Sequence, residues 1–149
     1  TSSLSRQSGL EIDVEDSAHL ILGFGPKAGA AQLIGTLNLD LIRHDTTRTC
    51  VAIGENGSLR WDGLTGQVMM WRADDKTWSE LFRHQHQLDD SYQAEWQQFL
   101  SCVSNATAPL ISGQDGLRVM EIIEAARRSA ALGSRVGVIT SEHRDEVAS

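Results

Sequence analysis

Lysine, cysteine and long apolar runs are all scarce in this chain of 149 residues. Lys27 and Lys76 are the only lysines, so lysine-dependent chemistry has just two candidates. The chain has 13 basic and 20 acidic side chains, so its net charge is −7. This negative charge argues against nucleic acid or an anionic membrane surface as the main partner. No apolar run approaches the roughly 20 residues of a membrane-spanning helix, and the N-terminus lacks the apolar segment of a signal peptide.

The two cysteines, Cys50 and Cys102, are too few for a disulfide framework. We therefore expect a cytoplasmic protein in which both are small buried hydrophobes. The chain begins at Thr1 without an initiator methionine, which fits a piece cut from a longer protein. With 40% hydrophobic and 22% charged residues, the composition is that of an ordinary globular protein with one domain and one core.

The first half of the chain alternates apolar and polar residues with the period of a β-strand. Even positions from Leu10 to Phe24 are mostly apolar, which predicts one long strand or two with a kink near Asp16. Asn56-Gly57 predicts a two-residue hairpin turn, because both residues tolerate positive φ. Further alternating runs follow at 33–41, 49–53, 59–61, 68–71 and 78–82. Since short turns join these runs, the first 82 residues are expected to form one large antiparallel meander.

The second half has helical periodicity. Asp89, Asp90 or Ser91 is expected to cap a first helix, and Ser112 with Asp115 forms a capping box for a second that ends at Gly133. The predicted apolar stripes are Tyr92, Trp96, Phe99, Leu100 and Val103 on the first helix, and Leu117, Met120, Ile123, Ala126 and Ala130 on the second. Segment 135–139 predicts a last short strand. The fold class is therefore α+β, with a large open, mostly antiparallel sheet covered on one face by helices. Residues 1–140 form the domain, and 141–149 a frayed polar tail.

Two patterns resemble binding motifs, and each has a simpler interpretation. Segment 23–28 has the G-x-G-x-x-A spacing of a dinucleotide loop, but strand-like alternation follows it where a helix would have to begin, which favours a glycine-rich β-turn. His84, His86, Asp89 and Asp90 form a metal-like cluster without a third ligand at a diagnostic spacing. A polar strand end leading into an aspartate-capped helix explains these residues equally well.

Three further groups have a structural and a functional interpretation. Glu11, Asp13, Glu15 and Asp16 suggest paired carboxylates for acid–base work, but alternation favours the solvated face of a strand. Arg43, His44, Asp45 and Arg48 suggest either an anion clamp or surface ion pairs. The four tryptophans (Trp61, Trp71, Trp78 and Trp96) favour core or interface packing over base stacking, because no basic groove accompanies them. No serine or cysteine stands in a nucleophile motif, so the residues alone predict no catalytic group.

Four segments, taken in order, resemble a known family. They are Gly9–Ala18 (GLEIDVEDSA), Ile53–Asp62 (IGENGSLRWD), Tyr92–Val103 (YQAEWQQFLSCV) and Pro109–Ala126 (PLISGQDGLRVMEIIEAA). From about Leu10 to Val138 the chain is similar to the C-terminal domain of the Gfo/Idh/MocA oxidoreductases, relatives of glucose–fructose oxidoreductase and inositol dehydrogenase. The resemblance implies a glyceraldehyde-3-phosphate-dehydrogenase-like C-terminal domain, whose N-terminal Rossmann partner is absent from this chain.

The resemblance also implies a function for the longer protein: NAD(P)-dependent oxidation of a hydroxyl on a sugar, cyclitol or nucleotide-linked sugar. The family's nucleotide loop, Lys-Pro motif and Asp-x-x-x-His motif precede this region, and Ala28 and Thr77 follow the two lysines. This segment alone is therefore expected to be inactive, to bind no cofactor or metal, and to form a homo-oligomer through its sheet face. Gln98 stands where relatives often have histidine.

Arg43, Arg48 and Tyr92 are the predicted substrate-binding residues, because family members contact sugars from the sheet face and strand ends of this domain. The alternative is a self-standing, non-enzymatic binding or scaffolding module that also dimerises through its sheet.

Overall fold

A computed structural model describes residues 1–25, 32–85, 87 and 89–140. It divides into two compact units: the first comprises Thr1–Arg43 with Leu110–Ser149, and the second His44–Pro109. The strands are β1 (Ser2–Ser5), β2 (Ser17–Phe24), β3 (Leu33–Asp40), β4 (Thr49–Gly54), β5 (Gly57–Asp62), β6 (Gln67–Arg72) and β7 (Trp78–Arg83). The helices are α1 (Asp90–Asn105) and α2 (Gly113–Leu132).

The first unit is a three-stranded antiparallel sheet, in the order β1-β2-β3, with α2 packed against β1. The even positions of β2 lie on the helix-covered face, which explains why Leu20 is buried. The Ser2 amide donates to Ser129 Oγ (3.1 Å), and the Ser2 hydroxyl donates to the carbonyl of Ala126 (2.6 Å). Ala125 is buried on the same helix, so the core of this unit lies between β2 and one face of α2.

The prediction of a strand through residues 10–16 is wrong. Strand β2 begins only at Ser17, and it pairs with β1, which the sequence analysis did not predict. Between them the chain forms a loop closed by Asp16, whose amide donates to the carbonyl of Ser5 (3.1 Å). Residues 10–16 alternate in polarity but form a loop, because the Asp16 carboxylate accepts hydrogen bonds from the loop amides of Gln7 and Ser8.

The second unit is a four-stranded antiparallel sheet in the order β4-β5-β6-β7. Each strand pairs with its neighbour in sequence, as the short turns predict, and a register shift interrupts β6–β7 between Val68 and Met69. The predicted hairpin forms, but Gly54 pairs with Gly57 and the loop residues are Glu55 and Asn56. Asn56 does not have positive φ, so the prediction that the turn depends on positive φ at this residue is wrong. The observed turn lies one residue before the predicted one.

The helix ends agree with the predicted caps more closely than the helix faces do. Ser112 and Asp115 form the capping box of α2, and Gly133 ends it with φ of 61°. The buried face of α2 lies at Ala125 and Ser129, with Ile122 and Ala126 half-buried, whereas Met120 of the predicted stripe is exposed. The whole predicted stripe of α1 is exposed. Residues 135–140 form no strand, and the tail 141–149 lies outside the described residues.

The fold is α+β, as predicted, but the described strands form two sheets of three and four strands instead of a single large one. The break falls between β3 and β4, where His44–Arg48 separate strands that do not pair. Both cysteines depart from the prediction: Cys50 is exposed on β4 and Cys102 is only half-buried on α1. In the described part of the chain, no helix is long and apolar enough to span a membrane.

Candidate functional site

On the face of the first sheet that α2 does not cover, the odd positions of β2 are polar at Ser17 and His19, whereas Ile21 is apolar and exposed. Ser3, His19 and Asn38 form one cross-strand row, since His19 is opposite both of the others. His19 Nδ1 lies 2.8 Å from Asn38 Oδ1, and its Nε2 lies 3.1 Å from the hydroxyl of Ser17. In the neutral tautomer that fits both contacts, Nδ1–H donates to Asn38 and Nε2 accepts from Ser17.

The Ser17–His19–Asn38 series has the connectivity of an activated hydroxyl, but Ser17 is only 3% exposed. A substrate therefore has no access to that oxygen, and the series instead holds the exposed imidazole in one orientation. This group has no local signature in the sequence, because His19 and Asn38 are 19 positions apart. The alternation of β2 and β3 assigns both residues to the polar side of their strands, but only the register makes them neighbours.

Asp16 lies at the edge of the same sheet and is the most deeply buried carboxylate among the described residues, at 2% exposure. It accepts hydrogen bonds from the Ser8 hydroxyl (2.6 Å), the Ser8 amide (2.8 Å) and the Gln7 amide (2.9 Å). These hydrogen bonds hold the pKa of Asp16 below its ordinary value, and the one from the Ser8 hydroxyl has the largest effect. Asp16 is thus a loop anchor, which corrects its prediction as a solvated strand residue. Glu15 lies 3.8 Å from Arg127.

One face of the second sheet is apolar, and we call it the apolar face. The register places Cys50, Trp61, Val68 and Phe82 in one cross-strand row, with Leu59 in the adjacent row on the same side. Phe82 is 57% exposed, and both Leu59 and Trp61 are more than one-third exposed. An uncovered row of large apolar side chains is typical of an interaction surface.

The opposite face of this sheet combines aromatic and charged side chains. Trp71 and Trp78 pack edge to face, with ring centroids 5.8 Å apart, and the Arg60 guanidinium lies 4.9 Å from the centre of the Trp78 ring. Nearby, Glu80 accepts from Arg83 Nη2 (2.7 Å) and from Gln67 Nε2 (2.6 Å). These contacts lower the pKa of Glu80, and Glu80 in turn raises that of Arg83. Two of the four tryptophans therefore pack against each other on this sheet face, whereas Trp61 lies on the other face and Trp96, predicted to be in the core or an interface, is 61% exposed beside Phe99 on α1.

The three predicted substrate-binding residues lie on different elements. Arg43, in the first unit, follows β3, and its amide donates to Asp40 Oδ1 (2.9 Å). Arg48, in the second unit, precedes β4, and its guanidinium carbon lies 5.6 Å from the centre of the Trp61 ring. Tyr92 is on the first turn of α1 and 70% exposed. Within the described residues, no hydrogen bond or ring contact joins Arg48 to Tyr92.

Gly63 explains why Arg48 lies against Trp61. A Cβ on Gly63 would be 2.8 Å from the Trp61 ring and 3.0 Å from Arg48 Cδ, so a larger residue would push the two apart. The Gly63 amide donates to the Arg48 carbonyl (2.7 Å). In the same turn Asp62 accepts from the amides of Thr65 and Leu64, which lowers its pKa. Arg48 is thus positioned by the β5–β6 turn and one aromatic face.

The structure describes only part of each of the two sequence patterns that resemble a dinucleotide loop and a metal cluster. Gly23 and Phe24 belong to β2, and Phe24 pairs with Leu33 of the antiparallel strand β3. The next described element after β2 is therefore its antiparallel partner, whereas a dinucleotide site needs a helix whose N-terminus follows the strand. Pro26, Lys27 and Ala28 lie outside the described residues, and so does His86. Among the described residues no group of three or more metal-ligand side chains is present, and His84 lies 3.7 Å from Asp90.

Antiparallel sheets followed by two C-terminal helices define an α+β domain with an open apolar sheet face and no nucleotide-binding unit among the described residues. Residues 2–138 match the family described as "Oxidoreductase family, C-terminal alpha/beta domain". The chain therefore belongs to the Gfo/Idh/MocA oxidoreductase family as its C-terminal domain, and the resemblance seen in the sequence is confirmed. Neither a curated protein nor a solved structure gave a significant match.

Proposed function

We propose that this chain is the substrate-binding and oligomerisation domain of an NAD(P)-dependent oxidoreductase that acts on a hydroxyl of a sugar, a cyclitol or a nucleotide-linked sugar. The observation that carries the proposal is the family match over residues 2–138. In this proposal a Rossmann domain elsewhere in the longer protein holds the cofactor. In that longer protein the two sheets belong to a glyceraldehyde-3-phosphate-dehydrogenase-like C-terminal domain in the cytoplasm.

Self-association uses the apolar face of the second sheet in this proposal. Two copies that meet through Trp61, Val68 and Phe82 remove large apolar side chains from water, and a two-fold axis lets the same surface serve both copies. The opposite face is less suited, because Glu80, Arg83 and Arg60 would lose their hydration there.

Substrate recognition in this proposal rests on Arg43, Arg48 and Tyr92. A guanidinium presents a planar fork of donors that suits the paired oxygens of a phosphate or carboxylate. Arg48 supports the role best, because Trp61 orients its guanidinium and the backbone of the β5–β6 turn holds its carbonyl. The phenol of exposed Tyr92 offers a donor and an acceptor to a sugar hydroxyl.

Light scattering of this chain at rising concentration tests the oligomerisation step. We expect a dimer, which the variant Phe82→Lys weakens at least tenfold by placing a charge in the apolar row. Ile53→Lys is the matched control: it adds the same charge on the opposite face, where Ile53 is 82% exposed, and leaves the dimer intact. A monomer at high concentration, or equal effects of the two variants, would contradict this assignment of the face.

Nicotinamide absorbance tests the enzymatic step. This chain alone is expected to oxidise no sugar or cyclitol, whereas the longer protein with its Rossmann domain does so. In that protein Arg48→Gln is expected to raise KM about tenfold with little change in kcat, because Arg48 binds ground state and transition state alike. Turnover by this chain alone would disprove the division of labour, and an inactive longer protein would favour the scaffolding alternative.

A further inference from the structure

A cavity of about 630 Å³ lies within the first unit, between β2, α2 and residues 135–140. Leu20, Leu22 and Phe24 line it from one face of β2, and Ile21 and Gly23 line it from the other, so the cavity lies along the edge of the strand. Ile122 lines it from α2, and Val136 and Val138 from the segment beyond the helix. Its volume lies within the usual range of small-molecule sites, and its walls are mainly apolar as in such sites.

Two arginines give this apolar cavity a positive character. Among the described residues that line the cavity, the charged side chains are Arg118 on α2, Arg135 beyond it and one carboxylate, Glu121. This balance is opposite to that of the whole chain, whose net charge is −7. The local excess of guanidinium groups therefore favours an anionic ligand.

Arg135 is the better placed of the two. Its Nη2 lies 3.0 Å from the position that a Cβ on Gly23 would occupy, so the guanidinium rests on the β2 backbone on the face opposite Leu22 and lines the cavity from that side of the strand edge. Within the described residues it forms no hydrogen bond or ion pair. Arg118, in contrast, lies 4.0 Å from Asp115. Segment 135–140 is held to the helix by Arg128 Nη2, which donates to the Gly137 carbonyl (2.9 Å).

We propose that this cavity binds a small amphiphilic monocarboxylate, with its carboxylate on Arg135 and its hydrocarbon chain between Leu22, Ile122 and Val138. Arginine pairs with a carboxylate through two parallel hydrogen bonds, and it does so most strongly beside apolar surface that excludes water. The hydrocarbon chain gains affinity from each methylene that leaves water. Neither interaction depends on the oligomerisation or the substrate class proposed above.

Titration calorimetry of this chain with hexanoate and octanoate, below their micellar concentrations, tests the proposal. We expect octanoate to bind about tenfold more tightly than hexanoate, because two more methylenes are buried. Octylamine and 1-octanol have the same chain with a different head group, and both should bind at least tenfold more weakly than octanoate. In amide NMR spectra, octanoate should shift Leu22 and Val138 and leave Trp61 unchanged.

Arg135→Gln should weaken octanoate binding about tenfold and leave 1-octanol binding unchanged. The matched control is Arg127→Gln, because Arg127 is on the preceding helix α2, lies 3.8 Å from Glu15 and does not line the cavity. Thermal unfolding shows whether both variants fold like the parent chain. Equal binding of octanoate and octylamine would overturn the proposal, as would octanoate binding that Arg135→Gln does not change. Absence of octanoate binding would do the same.

Discussion

The two units of this domain differ in how they exclude water. Every buried residue among the described ones lies in the first unit, namely Asp16, Ser17, Leu20, Ala125 and Ser129, and the second unit has none. The first unit joins distant parts of the chain, since Ser2 contacts Ser129 across 127 positions. The second is built from neighbouring hairpins, which satisfy backbone hydrogen bonds but leave sheet faces open. Local pairing alone therefore produces a sheet, whereas a core requires an element that returns from elsewhere in the sequence.

The largest expected effect concerns one glycine in each unit. Gly66, in the second unit, has φ of 66°, and a Cβ there would collide with the carbonyl of His84. Gly133, in the first unit, has φ of 61° with no atom within 4 Å of an added Cβ. Urea unfolding should show a loss of about 3 kcal/mol for Gly66→Ala and about 1 kcal/mol for Gly133→Ala. Equal losses would mean that the sheet backbone near Gly66 adapts freely.

The next effect compares a buried and an exposed serine on the two helices. Ser129 Oγ accepts from the Ser2 amide and donates to the Ser134 carbonyl (2.6 Å), and it is 2% exposed. Ser129→Ala should cost about 2 kcal/mol, because it leaves both backbone groups without a partner. Ser101→Ala on exposed α1 should change the free energy of unfolding by less than about 0.5 kcal/mol. A small loss for Ser129→Ala would show that water replaces the hydroxyl.

A smaller effect compares the two helix N-termini. Ser112 caps α2 with its side chain, whereas Asp89 at the start of α1 makes no side-chain cap hydrogen bond. Thermal unfolding should show a loss of about 1 kcal/mol for Ser112→Ala. Asp89→Ala should cost only a few tenths of a kcal/mol, from the helix dipole. If the two losses were equal, the capping box would contribute nothing beyond the charge of Asp115.

The smallest effect at neutral pH is the acid dependence of the first unit. The pKa of Asp16 is lowered in the fold, chiefly by the Ser8 hydroxyl, so the ionised carboxylate stabilises the folded state. That stabilisation is fully present above the unfolded pKa of about 3.8 and is lost as the pH falls through the lower folded value. Unfolding midpoints measured from pH 6 downward should show this loss. Asp16→Asn should flatten the curve, while Asp13→Asn, which removes an exposed carboxylate from the same loop, should not.

Much of the fold was predictable because it depends on neighbours in sequence. Strands β2 to β7 and both helices follow from apolar periodicity, and the capping box and Gly133 follow from local hydrogen bonding and backbone freedom. Strand β1 was not predictable from its own residues: Ser2–Ser5 has little apolar character and becomes a strand by pairing with β2. The candidate site was less predictable. The contact between His19 and Asn38 depends on the register of β2 and β3. The contact between Arg48 and Trp61 depends on the absence of a side chain at Gly63.

The sequence by itself determined strands β2 to β7, the two helices, the caps of α2 and the family, because each depends on short-range patterns or on the order of segments. It also predicted substrate roles for Arg43, Arg48 and Tyr92, which remain predictions. Only the tertiary structure decided that Asp16 anchors a loop, that the strands divide into two sheets, and that Arg118 and Arg135 line one apolar cavity. These features depend on which distant backbone groups meet, and a hydrogen bond or a buried contact between residues far apart in sequence leaves no local pattern.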